Sequence, residues 1–238
     1  MLKALLTDID GTITTPDRRI CTGSIELIRS LIDSGTEVVL ASGNTPCFMD
    51  ALCKMIGTKG TYIAENGGVF RIGYTGQPVI RGDQAIVRTA LKTVQDHFQE
   101  KGITLDLYSP MYRFSDLAFA RTVSADEVLT VLRDQPVQVI DTGYAIHLQV
   151  PGINKGTALA DLAGRMGLAP ADFLAIGDSV NDIQMLKTAG IGITVANAHP
   201  DTKAAAQYVA KKAYGDGFVE AVEKYSSYFR ARKRSTTI

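Results

Sequence analysis

Short apolar segments alternate with segments of helical spacing along the first part of the chain. Apolar runs of about five residues are typical of buried strands, and apolar residues three and four apart are typical of helices. The pattern predicts strands over 3–7, 37–41 and 62–64, with helices over 24–34 and 48–56 between them. This βαβαβ order predicts a parallel sheet covered by helices.

The pattern changes after residue 68. Residues 69–80 resemble a hairpin that turns at Tyr74-Thr75-Gly76-Gln77. The following segment predicts an αββαββ order: a helix over 84–101, strands over 103–108 and 117–123, a helix over 125–133, and strands over 137–141 and 145–150. Consecutive hairpins with few helices predict an antiparallel sheet with one helical face.

The alternation of strands and helices resumes at Thr157. It predicts a helix to 166, then a strand over 173–176, a helix over 183–189, a strand over 191–195, a helix over 202–207, a strand over 208–210 and a helix over 218–232. The fold class we predict is α/β, with a Rossmann-like parallel sheet and helices on both faces. This core comprises residues 1–82 and 153–238, and a smaller α+β domain, residues 83–152, is inserted into it.

Composition narrows the classes of protein. The 238 residues include 25 Lys and Arg and 25 Asp and Glu, and this balance argues against a nucleic-acid or membrane-surface binder. The three cysteines of the chain form no CxxC pair, and no apolar stretch reaches the length of a membrane span. We expect a reduced, soluble, cytoplasmic protein whose partner is a small molecule, and the sequence leaves a homodimer open. The basic tail over 230–234 is interpreted as a solvated helix end.

Acidic residues follow two of the predicted core strands. Asp8 and Asp10 come after the first strand, and Asp178 and Asp182 come after the strand over 173–176. If these strands are neighbours, four carboxylates converge at one edge of the sheet and need a cation, for which Mg²⁺ is suited. The alternatives are an ordinary Asp-Gly turn after the first strand and a helix capping box at Ser179 and Asp182.

Two further segments offer groups that bind anions. Asn154 is a plausible helix cap, and Lys155 follows it where the helix dipole favours an anion such as phosphate. Ser42, Gly43 and Asn44 follow the second strand and offer hydrogen-bond donors. The alternatives are a lysine that swings into solvent and an ordinary turn in which Ser42 or Asn44 caps the next helix.

Taken together, the segments resemble the motifs of the haloacid dehalogenase superfamily of phosphatases, in the same chain order. The matching positions are Asp8-x-Asp10-Gly11-Thr12, Ser42, Lys155 and Gly177-Asp178-x-x-Asn181-Asp182. The inserted domain occupies the position of the cap in one branch of this family, so we call residues 83–152 the cap. Motifs for a phosphate-binding P-loop, a Rossmann dinucleotide site, a serine hydrolase elbow and a zinc protease are absent from the sequence.

The resemblance implies roles for these residues. Asp8 would be the nucleophile and Asp10 the general acid and base. Mg²⁺ would be held by Asp8, the main-chain carbonyl of Asp10, Asp178 and Asp182. The residues implied to bind the phosphate-bearing substrate are Ser42, Gly43, Asn44, Lys155 and Asn181.

Within the superfamily, the short chain and compact cap are similar to phosphoglycolate phosphatases of archaeal type. The expected reaction is therefore hydrolysis of 2-phosphoglycolate, with Arg113 in a cap loop as a candidate for binding its carboxylate and His147 as another. The alternatives for these two are a solvated arginine and a surface strand residue. A sugar-phosphate phosphatase and a non-catalytic phosphometabolite-binding protein are the alternative functions. Glu65-Asn66-Gly67-Gly68 is interpreted as a tight turn without a chemical role.

Overall fold

The computed structural model describes residues 1–229, and these form an eight-stranded sheet and a three-stranded sheet. The strands of the eight-stranded sheet are β1 (Ala4–Asp8), β2 (Glu37–Ala41), β3 (Tyr62–Ala64), β4 (Val69–Arg71), β5 (Val79–Ile80), β9 (Phe173–Gly177), β10 (Ile191–Thr194) and β11 (Tyr208–Val209). Their order in the sheet is β11-β10-β9-β1-β2-β3-β4-β5. Neighbouring strands from β11 to β3 run parallel, and β4 and β5 add the antiparallel hairpin that the sequence predicts.

Helices cover both faces of this sheet. The core helices are α1 (Thr22–Asp33), α2 (Pro46–Ile56), α5 (Lys155–Arg165), α6 (Ile183–Thr188), α7 (Pro200–Ala205) and α8 (Tyr214–Lys224). One apolar cluster joins α1, α2 and α8 to the sheet, and a second joins α5 and α6 to its other face. The predicted α/β fold class is confirmed by this arrangement.

Strand β1 lies in the middle of the sheet, between β2 on one side and β9 on the other, and all five of its residues are buried. A parallel strand that is covered on both faces reads as a continuous apolar run, and the segment Ala4-Leu5-Leu6 has this character. The register pairs Asp8 with Ala41 and Thr7 with Ile176. The chain segments that follow β1, β2 and β9 therefore begin at the same edge.

The cap contains the three-stranded antiparallel sheet. Its elements are α3 (Gln84–Glu100), β6 (Leu117–Ala120), α4 (Ala125–Val131), β7 (Gln138–Asp141) and β8 (Ala145–Gln149), and the strands have the order β6-β8-β7. The two helices pack on one face of this sheet around a separate apolar cluster. All of these elements fall inside residues 83–152, and the exact limits of the domain stay a prediction.

The strand predicted over 103–108 is only a short pairing. The main-chain amide of Tyr108 donates to Ala118 and that of Ala120 donates to Asp106, which leaves one isolated bridge between Leu107 and Phe119. The pairing ends at Ser109, because this residue has a left-handed φ of 51° and begins a turn with Pro110. The segment thus runs beside β6 in the place of the predicted fourth strand.

The last predicted helix is displaced toward the amino terminus. Helix α8 begins at Tyr214 rather than 218 and ends at Lys224, where a 3₁₀ turn over Ser226–Tyr228 follows. Its first turn contains Gly215, where a Cβ would overlap Cys21, so close packing against α1 selects a residue of low helix propensity. Residues 230–232 of the predicted helix and the basic tail over 230–234 lie outside the described residues. None of the helices within residues 1–229 has the length and apolar character needed to cross a bilayer.

Candidate active site

Three carboxylates converge at the carboxyl ends of β1 and β9. Asp8, Asp178 and Asp182 each offer an oxygen, and these oxygens lie within 4.8 Å of one another. Burial, and then the charge of Asp182, raises the pKa of Asp8 well above its usual value and that of Asp178 to about 7. These carboxylates repel one another in a desolvated site, so a bound cation would favour their charged forms. Clustered carboxylate oxygens fit a hard divalent metal ion.

Asp182 is fixed from two sides. Its Oδ2 accepts hydrogen bonds of 3.0 Å from the amides of Asp178 and Ser179, and its Oδ1 accepts one of 2.6 Å from Lys155. The bond from Ser179 is the one expected of the acidic member of a helix capping box. Asp182 therefore holds the turn after β9 in shape, and this turn presents Asp178 to the other carboxylates.

Lys155 is the fully buried cation of the site. Its Nζ donates at 2.6 Å to Asp8 Oδ1 and at 2.6 Å to Asp182 Oδ1, and none of its side chain is exposed. Burial lowers the pKa of the Lys155 ammonium, but Asp182 and Asp8 outweigh it and raise the pKa above its usual value. The alternative of a solvated lysine is wrong.

The amino terminus of α5 positions Lys155. Asn154 accepts from the amide of Thr157 at 2.9 Å, and the Thr157 hydroxyl accepts from the Asn154 amide at 3.2 Å. This reciprocal cap confirms the predicted helix start. Because the cap fixes the first turn, the lysine that follows it enters the site directly.

The Asp10 carboxylate does not join the other three. It accepts from Asn44 Nδ2 at 3.2 Å and from Arg18 Nη2 at 3.2 Å. Strand β1 ends at Asp8 and the chain turns over Ile9–Ile13, so the alternation of side chains along a strand no longer applies at Asp10. The expectation that four carboxylate side chains converge is therefore corrected to three.

Ser42, Gly43 and Asn44 follow β2 beside Asp8. The Asn44 side-chain amide donates to both Ser42 Oγ, at 3.0 Å, and Asp10 Oδ2, so it ties the two loops together. The Asn44 main-chain amide also donates to Ser42 Oγ, at 3.1 Å. At Gly43 a Cβ would crowd Asn66 and His147, which accounts for a glycine at this position.

Asn181 is connected to the cap through buried polar side chains. Asn181 Nδ2 donates to Asn66 Oδ1 at 2.8 Å, and Asn66 Nδ2 lies 3.2 Å from His147 Nδ1. The same Nδ1 lies 2.8 Å from Asp116 Oδ2, and an ionised Asp116 can only accept, so the Nδ1 proton points to Asp116. His147 is 5% exposed, so the alternative of a surface strand residue is wrong.

Arg113 lies inside this network. Its Nη1 donates to Asp116 Oδ1 at 2.6 Å and to the Gly43 carbonyl at 3.2 Å, and its Nε donates to the Tyr108 carbonyl at 2.9 Å. Burial raises the pKa of Asp116, but the Arg113 guanidinium and His147 outweigh it, so the pKa lies below its usual value. Arg113 is therefore not a solvated loop residue, and its role toward a substrate stays a prediction.

Glu65 is a second link between the core and the cap. Its Oε2 accepts from the main-chain amides of Phe114, Ser115 and Asp116, the shortest at 2.7 Å from Ser115. Gln149 Nε2 donates to the Glu65 carbonyl at 2.8 Å. Burial, and then the charge of Asp116, raises the pKa of the Glu65 carboxyl to about 7.

The interpretation of residues 65–68 as a turn is confirmed, because Glu65, Asn66 and Gly67 all have left-handed φ angles. The interpretation that this turn has no chemical role missed both links to the cap. Glu65 and Asn66 follow β3 at the same edge of the sheet as the other site residues. That position is the signal that could have identified them.

These residues enclose a cleft of about 640 Å³ between the core and the cap. The core lines it with Asp8, Asp10, Arg18, Ser42, Asn44 and Asn181, among others, and the cap lines it with Tyr108, Arg113, Tyr144 and His147, among others. The predicted candidates from both domains thus share one cleft, except for Lys155, Asp178 and Asp182, which lie around Asp8 at its base.

Sequence and structure comparisons agree with this geometry. The family model of the haloacid dehalogenase-like hydrolases matches residues 5–118 and 139–222. The chain belongs to this family. A protein of Methanoculleus marisnigri named phosphoglycolate phosphatase is 58% identical over 98% of this chain and 100% of its own. One with the same name from Methanospirillum hungatei is 47% identical over 98% and 100%.

A solved structure has the same fold as this hydrolase. A crystal structure of a Thermoplasma acidophilum protein superposes with a TM-score of 0.84 and 26% identity, covering 95% of this chain and 99% of the other. The agreement over nearly the whole of both chains includes the cap. The enzyme is therefore a two-domain hydrolase of this family with an acidic cluster suited to a divalent metal.

Proposed function

We propose that this hydrolase is a Mg²⁺-dependent phosphatase that acts on small phosphate monoesters through an aspartyl-phosphate, with 2-phosphoglycolate as the substrate. The observation that carries the proposal is the contact of Asp8 with the buried ammonium of Lys155, beside Asp178 and Asp182 and under a capped cleft. The names of relatives at 58% and 47% identity support the substrate.

Asp8 is the nucleophile in this proposal. A carboxylate oxygen of Asp8 attacks the phosphorus, a P–O bond to the enzyme forms, and the P–O bond to the leaving alkoxide breaks. Asp10 donates a proton to that alkoxide and then takes one from the water that hydrolyses the aspartyl-phosphate. Asn44 holds the Asp10 carboxylate on the cleft side, away from the three clustered carboxylates.

Other groups stabilise the transferring phosphoryl group. Lys155 contributes a fixed positive charge next to Asp8, in a place from which water is excluded. Ser42, Gly43 and Asn44 offer hydroxyl and amide donors at the same end of the cleft. In-line phosphoryl transfer depends mainly on positioning and charge stabilisation, which these groups supply.

The carboxylates of Asp8 and Asp178 would hold Mg²⁺, together with the Asp10 carbonyl and with Asp182 directly or through water. When bound, the ion supplies Lewis-acid stabilisation of the negative charge that collects around the phosphoryl group. The fit rests on the acidic cluster, in which burial, and then the charge of Asp182, raises the pKa values of Asp8 and Asp178.

A sugar phosphate is a second candidate substrate because of the size of the cleft. A volume of about 640 Å³ lies within the range of roughly 300–1,000 Å³ that is typical of sites for much larger ligands than phosphoglycolate. A panel of small esters that includes sugar phosphates separates the two candidates by kcat/KM.

The test of the mechanism compares wild type, Asp8→Asn and Asp10→Asn on p-nitrophenyl phosphate, with and without Mg²⁺. We expect Asp8→Asn to be inactive and to carry no phosphoryl group after an acid quench. Because p-nitrophenolate leaves without a proton, Asp10→Asn should still be phosphorylated on Asp8 but should hydrolyse slowly. The matched control is Asp17→Asn, because Asp17 is an exposed aspartate in the same loop. Its turnover should match that of wild type.

The proposal fails if wild type shows no turnover of any ester with Mg²⁺, which would favour a non-catalytic binding protein. It also fails if Asp8→Asn keeps wild-type turnover. Turnover of p-nitrophenyl phosphate and sugar phosphates without turnover of 2-phosphoglycolate would keep the mechanism and reject the substrate.

A further inference from the structure

Arg18 occupies an unusual place in the cleft. It lies in a tight loop that closes through the amides of Thr15 and Arg18, and its backbone is left-handed, with a φ of 64°. A non-glycine residue rarely adopts this conformation. The loop directs the side chain over the cleft, where it meets the Asp10 carboxylate and lines the same wall.

The Arg18 guanidinium also reaches the cap. Its central carbon lies 4.6 Å from the ring centroid of Tyr144, which belongs to the turn between β7 and β8. A guanidinium stacked on an aromatic ring keeps its edge free to donate hydrogen bonds in its own plane. Arg18 and Tyr144 therefore bridge the cleft from opposite domains while the donors of Arg18 stay accessible.

Within residues 1–229, two arginines and no lysines line the cleft. Arg113 is 5% exposed and donates to Asp116, which is fully buried. Moving Arg113 to a substrate would leave the Asp116 carboxylate buried with one cation fewer, which is strongly unfavourable. Arg18 is therefore the arginine of the cleft that can turn to an incoming anion at little cost.

Arg18 meets that requirement. Its side chain is 55% exposed, and within the described residues its hydrogen bonds go to a single oxygen, Asp10 Oδ1, at 3.2 and 3.4 Å. Bonds of this length at a solvated surface contribute little stability. The guanidinium is thus a charged fork with most of its donors unused at the mouth of the site.

The chemistry of the proposed substrate brings its carboxylate to the same place. In 2-phosphoglycolate the carboxylate carbon is two covalent bonds of about 1.5 Å each from the ester oxygen. The general acid must lie within hydrogen-bond distance of that oxygen. A carboxylate so close to the Asp10 contact lies next to Arg18, which already touches Asp10.

We propose that Arg18 binds the carboxylate of the substrate and so selects phosphate esters with a carboxylate on the ester carbon, while Tyr144 holds the guanidinium from the cap. This inference rests on the proposed function. It assigns the carboxylate to a core loop rather than to Arg113. Paired donors in a fixed plane match both oxygens of a carboxylate.

The test is a substrate ratio. We would measure kcat/KM for 2-phosphoglycolate and for ethyl phosphate, which has the same number of carbons and no carboxylate. In Arg18→Gln we expect the ratio of the two values to fall at least tenfold, with an intermediate fall in Arg18→Lys. Since Arg18 touches Asp10, both esters will slow to some extent, and that common effect cancels in the ratio.

Four further variants sharpen the result. Arg19→Gln changes the neighbouring arginine, which is exposed and pairs with Asp17 rather than facing the cleft, and it should leave the ratio within twofold. Tyr144→Ala should lower the ratio by a smaller factor than Arg18→Gln, and Tyr144→Phe should not. Arg113→Gln, with its folding checked by denaturant unfolding, should slow both esters alike.

An unchanged ratio in Arg18→Gln would overturn the inference, and so would a selective loss in Arg113→Gln alone. These two outcomes apply when the wild-type enzyme hydrolyses 2-phosphoglycolate faster than ethyl phosphate. A wild type without that preference rejects carboxylate recognition by Arg18, while loss of turnover in Asp8→Asn would still support the phosphatase mechanism.

Discussion

The Lys155 ammonium donates a 2.6 Å hydrogen bond to Asp8, a residue 147 positions away, at a point that no solvent reaches from the lysine side. A buried ammonium stays charged only where opposite charges offset its lost hydration. Asp8 and Asp182 do this together. The same contact keeps a positive charge next to the carboxylate that we propose as nucleophile.

Replacing this cation should remove most of the activity. We expect Lys155→Met, which keeps the length of the side chain, to lower kcat/KM for p-nitrophenyl phosphate by about 10²–10³, the range for losing one preorganised charge donor. Lys3→Met is the control, because Lys3 is exposed and pairs with Asp172 away from the site. A loss below fivefold in Lys155→Met would contradict the role given to the buried charge.

The activity should be as sensitive to substitution of Gly11 as to substitution of the charged site residues. Its φ is 87°, and a Cβ on it would overlap the Asp178 carboxylate. Gly11→Ala is therefore expected to displace Asp178, with at least tenfold weaker activation by Mg²⁺, measured as the concentration giving half-maximal rate. Gly102→Ala separates the two effects, since Gly102 also has a left-handed φ, of 73°, but among residues 1–229 no atom lies within 4 Å of the added carbon. Equal effects in both variants would show that backbone strain alone is responsible.

Local pattern was sufficient for much of the core. Strands β2 and β3 lie where the apolar runs predict them, over 37–41 and 62–64. The convergence of Asp8, Asp178 and Asp182 follows from the rule that parallel neighbours end at one edge of the sheet. The strand positions need only hydrophobic periodicity, a local property of the sequence, whereas the pairing of β1 with the distant strand β9 is supplied by the fold.

The links between the domains depend on how the cap is seated. Asn66 meets His147 from 81 positions away, and Glu65 meets Gln149 from 84. Hydrophobic periodicity along the chain does not predict such contacts, because each of these residues is compatible with an ordinary turn or strand. The direction of the Asp10 side chain was missed for a related reason, since Asn44 and Arg18 set it after the strand has ended.

The buried pair of Arg113 and Asp116 should matter far more to stability than an exposed pair in the same cap. Asp116 is fully buried, so Asp116→Asn leaves the Arg113 charge without its partner, and we expect a loss of about 3–5 kcal/mol in the free energy of unfolding. Asp141→Asn breaks the exposed pair with Arg121 and should cost less than about 1 kcal/mol. Urea unfolding of both variants measures the difference, and equal losses would contradict the burial argument.

Glu65 should make the stability of the protein depend on pH. Burial and Asp116 raise its pKa from 4.5 to about 7 in the folded protein. Between these values the folded protein holds more protons than the unfolded chain, so the free energy of unfolding falls as the pH rises. The contribution is fully present below pH 4.5 and is lost as the pH rises through about 7. Its size is on the order of 3 kcal/mol.

Glu65→Gln isolates this effect because its amide oxygen can still accept the three main-chain amides that bind Oε2, while its side chain does not titrate. We expect wild type to lose stability relative to Glu65→Gln between pH 5 and pH 8 in urea unfolding. Glu100→Gln, at an exposed position on α3, controls for the change in net charge. If the difference between wild type and Glu65→Gln were the same at both pH values, ionisation of Glu65 would not weaken the contact between core and cap.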